Sequence, residues 1–213
     1  NQRMIEYPQG PARGGVLVFH GGAGRGEHER ARIAQLAALG FIAYAPDLFG
    51  EAFRDRAHGL SVIQRLVSEP VELRARAAAA LDELAARTGR IAAIGHCFGG
   101  FAALELARGG ADLRAAISLH GRLASAAPAC PGTVRARVLA CTGADDRFCS
   151  RDERAAFEAE MTAAGVDWQH HVYGGAQHGF SVPGIAQPGC AYHAAADRRS
   201  RHAVAALFDE VFD

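Results

Sequence analysis

A cysteine framed by glycines is the residue whose type and spacing point most directly to chemistry. The segment Gly95–Gly100 reads Gly-His-Cys-Phe-Gly-Gly, after an apolar run and before a helical pattern. This strand–turn–helix arrangement is typical of a nucleophile elbow, with Cys97 in the place of serine. The glycines are expected because neighbouring backbone leaves no room for side chains there. The helix N-terminus would favour a thiolate. An isolated motif of this kind could equally be a glycine-rich turn around a buried cysteine.

An elbow nucleophile needs an acid and a histidine later in the chain, in that order. Asp145 and Asp146 follow one apolar run, and His178 lies in a glycine-rich loop after the next. Open α/β sheets build their sites in loops beyond the carboxyl ends of their strands. Taken singly, Asp146 could cap a helix and His178 could lie on the surface. Their order and positions together favour a triad of Cys97, His178 and Asp146, with Asp145 as a less favoured acid.

A glycine-rich segment at residues 20–26 follows the first long apolar run. Acyl transfer develops an oxyanion that needs two N–H donors. We expect these donors from the backbone of Phe98, which follows the nucleophile, and of Gly22. The same segment could be a dinucleotide fingerprint, because it has closely spaced glycines between a strand and a helix. That alternative is weaker, since Glu27 breaks the GxGxxG spacing.

Short apolar runs alternate with longer helical patterns, which predicts an α/β fold with a mostly parallel sheet and helices on both faces. The predicted strands are Val16–Phe19, Phe41–Ala45, Ile91–Ile94, Ala115–Leu119, Val138–Cys141 and Trp168–Val172, with Met4–Tyr7 as a candidate edge strand. The predicted helices are Glu27–Leu39, Pro70–Arg87, Phe98–Arg108, Arg151–Ala164 and Asp197–Phe212. No repeat or linker divides the sequence, so we expect a single domain over residues 1–213.

The composition excludes several classes of function. Formal net charge is zero, with 23 basic and 23 acidic residues. Nucleic acids and anionic membranes demand a basic footprint, so we expect neither as a partner. Every basic residue other than histidine is arginine, which excludes a pyridoxal Schiff base and a P-loop lysine. No apolar run reaches membrane-spanning length and no signal segment is recognised, so the expected location is cytoplasmic.

Cysteine and histidine spacing gives no sign of a metal site. The five cysteines are odd in number and form no CxxC pair. Cys141 lies in an apolar run and is interpreted as a small buried hydrophobe. His170 and His171 are adjacent on a predicted strand, so they point to opposite faces and cannot chelate together. We therefore expect no metal and no other cofactor.

With these motifs in place, the chain resembles the dienelactone hydrolase family, which has the α/β-hydrolase fold, over nearly its whole length. The segments that carry the resemblance are His20–Gly24 with Glu27-His28, Ala45–Gly50, Gly95–Gly100, Gly143–Asp146, Tyr173–Phe180 and Ala191–Arg199. The resemblance implies a nucleophile at Cys97, an acid at Asp146 and a base at His178. It also implies carboxymethylenebutenolidase-like cleavage of ester bonds.

Two positions depart from the family's pattern. Many members have a glutamate that engages the resting cysteine; it would align with Gly21. Dienelactone-cleaving members hold the substrate carboxylate with an arginine at the position of Val182. Arg56 and Arg147, together with Arg54, could replace that contact. The candidate substrate contacts are Phe49, Arg54 and Phe180. The dienelactone substrate is therefore not implied.

The expected function is hydrolysis of an ester, lactone or thioester bond of a small substrate by a monomer or homodimer. Two alternatives on the same fold are a thioesterase and a carbon–carbon bond hydrolase. Two alternatives of another class are a nicotinamide-dependent oxidoreductase and a non-catalytic thiol or ligand-binding protein. Without a carboxylate at Gly21, the resting Cys97–His178 pair is expected to be partly ionised.

Overall fold

A computed structural model describes residues 4–213. In this part of the chain the strands are β1 (Met4–Glu6), β2 (Gly14–Phe19), β3 (Phe41–Ala45), β4 (Ile91–His96), β5 (Ala115–Leu119), β6 (Arg137–Gly143) and β7 (Trp168–Tyr173). The helices are α1 (Glu27–Ala38), α2 (Arg56–Ser68), α3 (Pro70–Ala85), α4 (Phe98–Arg108), α5 (Arg151–Ala163) and α6 (Ala194–Phe212). The strands form one sheet in the order β1-β3-β2-β4-β5-β6-β7.

The sheet is mostly parallel, as predicted. Only the β1–β3 pair is antiparallel among the strands described. Strand order reverses between β2 and β4, because β3 lies on one side of this pair and β5 on the other. The loops after β2 and β4 therefore diverge and open a crevice at the carboxyl edge of the sheet. The glycine-rich segment and Cys97 both lie at this crevice.

Alternate side chains of the buried strands face two different helical layers. In β2, Val16 and Val18 face the α1 and α6 side, whereas Leu17 and Phe19 face α3 and α4. The helix α5 packs with α4 over β6 in a smaller cluster. Both faces of the central strands are thus buried, which accounts for their near-continuous apolar sequence.

Three elements differ from the sequence expectations. The helix α2 is not among the predicted ones, although Val62 and Leu66 recur at helical spacing and are buried. Asp55 begins it by accepting a hydrogen bond from His58 N–H at 2.8 Å. The strand β7 is an edge strand with largely half-buried side chains, so it is not a continuous apolar run. The helix α6 begins three residues before the predicted Asp197.

None of the helices over residues 4–213 is long and apolar enough to cross a membrane.

Candidate active site

The elbow after β4 has the backbone geometry that the sequence predicts. Cys97 has φ of 52° and ψ of −121° and caps the N-terminus of α4. This left-handed conformation is strained for a residue with a side chain. A Cβ at Gly95 would lie 2.2 Å from the Gly99 carbonyl group, and one at Gly99 would lie 2.1 Å from the Phe19 carbonyl oxygen. Both glycines are therefore required for the turn to form.

The structure brings Cys97, His178 and Asp146 together in one hydrogen-bonded chain. His178 Nε2 lies 3.2 Å from Cys97 Sγ, and His178 Nδ1 lies 2.9 Å from Asp146 Oδ2. Asp146 is buried, and its other carboxylate oxygen accepts a hydrogen bond from the Phe148 N–H at 2.8 Å. Its neighbour Asp145 is exposed. The geometry thus selects Asp146 as the partner of His178.

Cys97 and His178 shift each other toward the ionised pair. Burial alone would raise the pKa of the Cys97 thiol, but the hydrogen bond and charge of His178 outweigh it and the pKa is lowered. Burial opposes the charged form of His178, yet Asp146 and Cys97 raise its pKa to about 9. A thiolate beside an imidazolium is the reactive form of a cysteine nucleophile.

Two backbone N–H groups face the thiol sulfur. Those of Phe98 and Gly22 both lower the pKa of Cys97. The N–H of Gly22 belongs to the same peptide group as the Gly21 carbonyl, which accepts hydrogen bonds from His20 Nδ1 at 2.9 Å and from Gly24 N–H at 3.1 Å. These bonds fix the orientation of the peptide, and with it the direction of the Gly22 N–H.

His20 is a functional candidate that the sequence reasoning did not single out. Its side chain is fully buried, and burial lowers its pKa, so the ring is neutral. Because Nδ1–H donates to the Gly21 carbonyl, Nε2 is free to accept the Leu48 N–H at 3.0 Å. One imidazole thus joins the loops after β2 and β3. Its position directly before two glycines was the available signal.

The three candidate substrate contacts lie in different environments. Phe49 is buried against His20 and Phe98, with ring centroids 4.6 and 5.1 Å away, and it lines a cavity of about 210 Å³. Arg54 is exposed, and its backbone N–H donates to His58 Nδ1. Phe180 does not fit its predicted role as a substrate contact. Its ring is fully buried against His120 and contacts the core rather than a space open to substrate.

Two aromatic rings that the sequence did not predict at the site lie beside His178. His120 is buried, has φ of 42°, and has its ring centroid 5.2 Å from that of His178. Its Nε2 lies 2.8 Å from Ser181 Oγ. Phe148 is 51% exposed, lies 5.1 Å from His178, and has the Arg147 guanidinium stacked on it at 4.8 Å. No sequence motif marks either residue, because both reach His178 through the conformation of their loops.

One group within residues 4–213 has side chains close enough to hold a metal ion. The ligand atoms of His28, Glu29 and His96 all lie within 4.8 Å of one another. Burial lowers the pKa of both histidines, and the charge of Arg32 lowers it further. This charge and the positive end of the α1 dipole oppose a cation at this position. The expectation that the protein uses no metal stays a prediction.

The seven-stranded, mostly parallel sheet with helices on both faces and an elbow after β4 defines an α/β hydrolase. Within that class, the chain belongs to the dienelactone hydrolase family, whose family model matches residues 3–212. It is accordingly a hydrolase that acts on ester bonds. This decides against the nicotinamide-dependent oxidoreductase and the non-catalytic thiol protein.

Several solved structures are similar to this chain over almost its whole length. The dienelactone hydrolase-like promiscuous phosphotriesterase P91 from metagenomic libraries is 38% identical, with 98% of this chain and 92% of that chain covered and a TM-score of 0.87. A protein described as m3DLH is 39% identical over the same shares, with a TM-score of 0.88. A dienelactone hydrolase-like fold from Klebsiella pneumoniae is 24% identical, with 96% and 89% covered and a TM-score of 0.79. Among curated proteins, none is significantly similar in sequence.

Proposed function

We propose that this hydrolase cleaves an ester, lactone or thioester bond of a small substrate with Cys97 as nucleophile, His178 as base and Asp146 as the acid that orients it. The observation that carries the proposal is the chain of contacts from Sγ to Nε2 at 3.2 Å and from Nδ1 to Oδ2 at 2.9 Å. The reciprocal pKa shifts of the thiol and the imidazole support it, because they favour the reactive thiolate.

In the first half of the reaction, the Cys97 thiolate attacks the substrate carbonyl carbon. The developing oxyanion is stabilised by the N–H groups of Phe98 and Gly22. The His178 imidazolium then donates its proton to the leaving group, which departs as an alcohol or thiol and leaves a thioester on Cys97. Asp146 keeps the imidazole in the tautomer and orientation that this transfer requires.

In the second half, water replaces the leaving group. His178, now neutral, accepts a proton from the attacking water, and the second tetrahedral intermediate uses the same two N–H donors. Its collapse expels the Cys97 thiolate and releases the carboxylic acid. The imidazolium–thiolate pair is thereby restored without any group beyond those already present.

The substrate class is limited by what surrounds the proposed nucleophile. Val182 cannot supply the charge that the resemblance associates with the dienelactone carboxylate, and Gly21 cannot supply the glutamate that engages the resting cysteine. Phe148 offers an exposed apolar surface beside His178, stacked by Arg147. We therefore propose a short, compact ester or lactone with an apolar part. A carbon–carbon bond hydrolase or a dedicated thioesterase would be recognised by faster turnover of β-diketones or acyl thioesters than of oxygen esters.

Phosphotriester hydrolysis is a second candidate activity. The relative P91, 38% identical over 98% of this chain, is described as a promiscuous phosphotriesterase. A thiolate can attack a phosphorus centre as well as a carbonyl carbon, and the same two N–H donors would face the phosphoryl oxygen. Turnover of paraoxon by the wild type, lost in Cys97→Ala, would support this activity, and no turnover would limit the enzyme to carboxylic esters.

The proposed nucleophile is tested by turnover of p-nitrophenyl acetate and of a small lactone. Cys97→Ala should abolish turnover, because it removes the thiol whose Sγ lies 3.2 Å from His178 Nε2. Cys130→Ser is the matched control: this cysteine is exposed, so its replacement should leave the rate unchanged. Prior alkylation should inactivate the wild type. Wild-type rates in a folded Cys97→Ala protein would contradict the proposal.

A further inference from the structure

A buried carboxylate lies beside the proposed oxyanion loop and has no part in the reaction described above. Glu29, in the first turn of α1, is only 2% exposed. Its Oε2 accepts a hydrogen bond from the Gly26 N–H at 2.7 Å. Burial raises the pKa of Glu29, while the N–H groups of Gly26 and Gly21 lower it in part. Its Oε1 has no hydrogen-bond partner in the described part of the chain.

The unpartnered oxygen faces a residue next to the nucleophile. Glu29 Oε1 lies 3.5 Å from Nε2 of His96, which directly precedes Cys97. Burial lowers the pKa of His96 to about 3, so this ring is neutral. A Cβ at Gly21 would lie 2.9 Å from His96 Nε2, so the imidazole fills the space that a side chain there would need. Gly21, Glu29 and His96 thus form one packed unit.

Capping of α1 alone explains only part of this arrangement. An N3 glutamate that binds the N-cap N–H is a common helix start, and the Gly26 contact is of this kind. Such a cap works equally well in water, whereas Glu29 is buried although burial disfavours its charge. The contacts that a cap does not need are those with Gly21 and His96. Both of these residues adjoin the surroundings of Cys97: Gly21 precedes Gly22, whose N–H faces the thiol, and His96 directly precedes Cys97 in the chain.

We propose that Glu29 is a positioning residue for the oxyanion site. Its carboxylate lies 3.5 Å from His96 Nε2, and this ring in turn packs closely against Gly21, while His20 and Gly24 hold the Gly21 carbonyl. Gly21 is thereby held at its carbonyl by hydrogen bonds and on its other side by the His96 ring, so the peptide that carries the Gly22 N–H keeps its orientation and the N–H stays directed at Cys97. This role rests on the proposed function, since it concerns the donor that would stabilise the oxyanion.

Three substitutions separate this role from a structural one. Glu29→Leu keeps an apolar volume but removes both acceptor oxygens. Glu29→Gln keeps one oxygen for the loop and so should restore most of what Glu29→Leu loses. Glu27→Leu is the matched control, because Glu27 lies in the same helical turn with a side chain 92% exposed and contacts Arg30. Ester turnover and the apparent pKa of the Cys97 thiol are measured for each, the latter by mass spectrometry after alkylation at varied pH.

Glu29→Leu should lower kcat by about 10- to 100-fold, less than the loss of a whole oxyanion donor, with KM changed by less than about twofold. The apparent pKa of the Cys97 thiol should rise, because the Gly22 N–H no longer faces the sulfur. Removing a nearby negative charge would instead lower that pKa, so the sign separates loop positioning from a direct charge effect. Glu27→Leu should match the wild type.

The proposal would be overturned by a folded Glu29→Leu protein with wild-type kcat, by a lowered thiol pKa, or by a Glu29→Gln protein as impaired as Glu29→Leu. If Glu29→Leu does not fold, Gly21→Ala tests the same unit, because its Cβ must displace His96 or the loop. It should lower kcat and raise the thiol pKa, and wild-type values would overturn the proposal. A wild type that cleaves no ester would reject the proposed function, while the thiol pKa would still report the effect of Glu29.

Discussion

The acid of the candidate triad is one of two adjacent aspartates that differ in burial. Asp146 is 4% exposed and lies 2.9 Å from His178, whereas Asp145 is exposed. Asp146→Asn should lower kcat by up to about 10⁴-fold, because an amide stabilises the wrong histidine tautomer. Asp145→Asn is the matched control and should retain nearly the wild-type rate. Steady-state kinetics of both variants check this, and the reverse ranking would move the acid by one residue.

The resting thiol of Cys97 is expected to be ionised together with His178. The lowered pKa of Cys97 and the pKa of about 9 for His178 define a pH range in which thiolate and imidazolium coexist. The pair forms as the pH rises through the thiol pKa and is lost as the pH rises through about 9. Iodoacetamide should therefore alkylate Cys97 below the ordinary thiol pKa of about 8.5.

His178→Ala should raise the apparent pKa of Cys97, because it removes the largest stabilising partner of the thiolate. Cys149 is an internal control in the same samples, since burial raises its pKa to about 12 and it should stay unmodified. A thiol that titrates at the ordinary value in both proteins would contradict a resting ion pair. Gly21→Glu is not a clean test of this pair, because even a Cβ at Gly21 crowds His96.

Sequence alone supplied the residues of the candidate triad but not all of their surroundings. Cys97, Asp146 and His178 could be predicted because each follows a recognisable strand, and parallel strands end at one edge. His120 and Phe148 could not, because their contacts with His178 depend on loop backbone such as the φ of 42° at His120. The direction of the Phe180 ring, which is fully buried, could not be predicted, because no sequence pattern shows which way this side chain turns in its loop.

At the scale of the elements, the strongest prediction concerns the elbow between β4 and α4. Gly95→Ala places a Cβ 2.2 Å from the backbone of Gly99, so strand and helix must separate. We expect the free energy of unfolding to fall by several kcal/mol, about as much as overpacking a core costs or more, and we expect turnover to be lost. Gly89→Ala is the matched control just before β4, since no atom lies within 4 Å of its added Cβ.

Urea unfolding and ester turnover measure the two effects of Gly95→Ala. A folded, active variant would show that the turn can open without cost and would contradict the steric account.

The helix α2 shows where prediction of helices and strands from the sequence fails. Its apolar spacing is helical, but Gly59 in its first half weakens the pattern. A Cβ at Gly59 would lie 2.6 Å from the Phe53 ring, so a larger residue would displace that ring.

At the scale of the whole molecule, strand order explains why the site could be anticipated at all. The reversal between β2 and β4 places the loops of Gly22 and Cys97 side by side, and β6 and β7 bring Asp146 and His178 to the same edge. Helical layers on opposite faces hold these strands through continuous clusters of buried side chains. Nothing in this arrangement divides the sheet, which motivates the prediction of a single domain.

A single domain should unfold in one step whichever layer is weakened. Phe208 of α6 is 3% exposed, with its ring 5.2 Å from that of Phe41. Phe208→Ala should lower the free energy of unfolding by about 3–5 kcal/mol, as for other buried phenylalanines. Leu39→Ala is the control, because Leu39 is 60% exposed and its loss should cost at most about 0.5 kcal/mol.

Two probes on different parts of the sheet test this cooperativity. Fluorescence of Trp168, the only tryptophan, reports the edge strand β7, and alkylation of Cys141, which is fully buried, reports the core beneath α6. In urea both should change at one midpoint in the wild type and shift together in Phe208→Ala, because the sheet couples the two layers. Separate midpoints would mean that the edge and the α6 layer unfold independently, and the single-domain prediction would then be wrong.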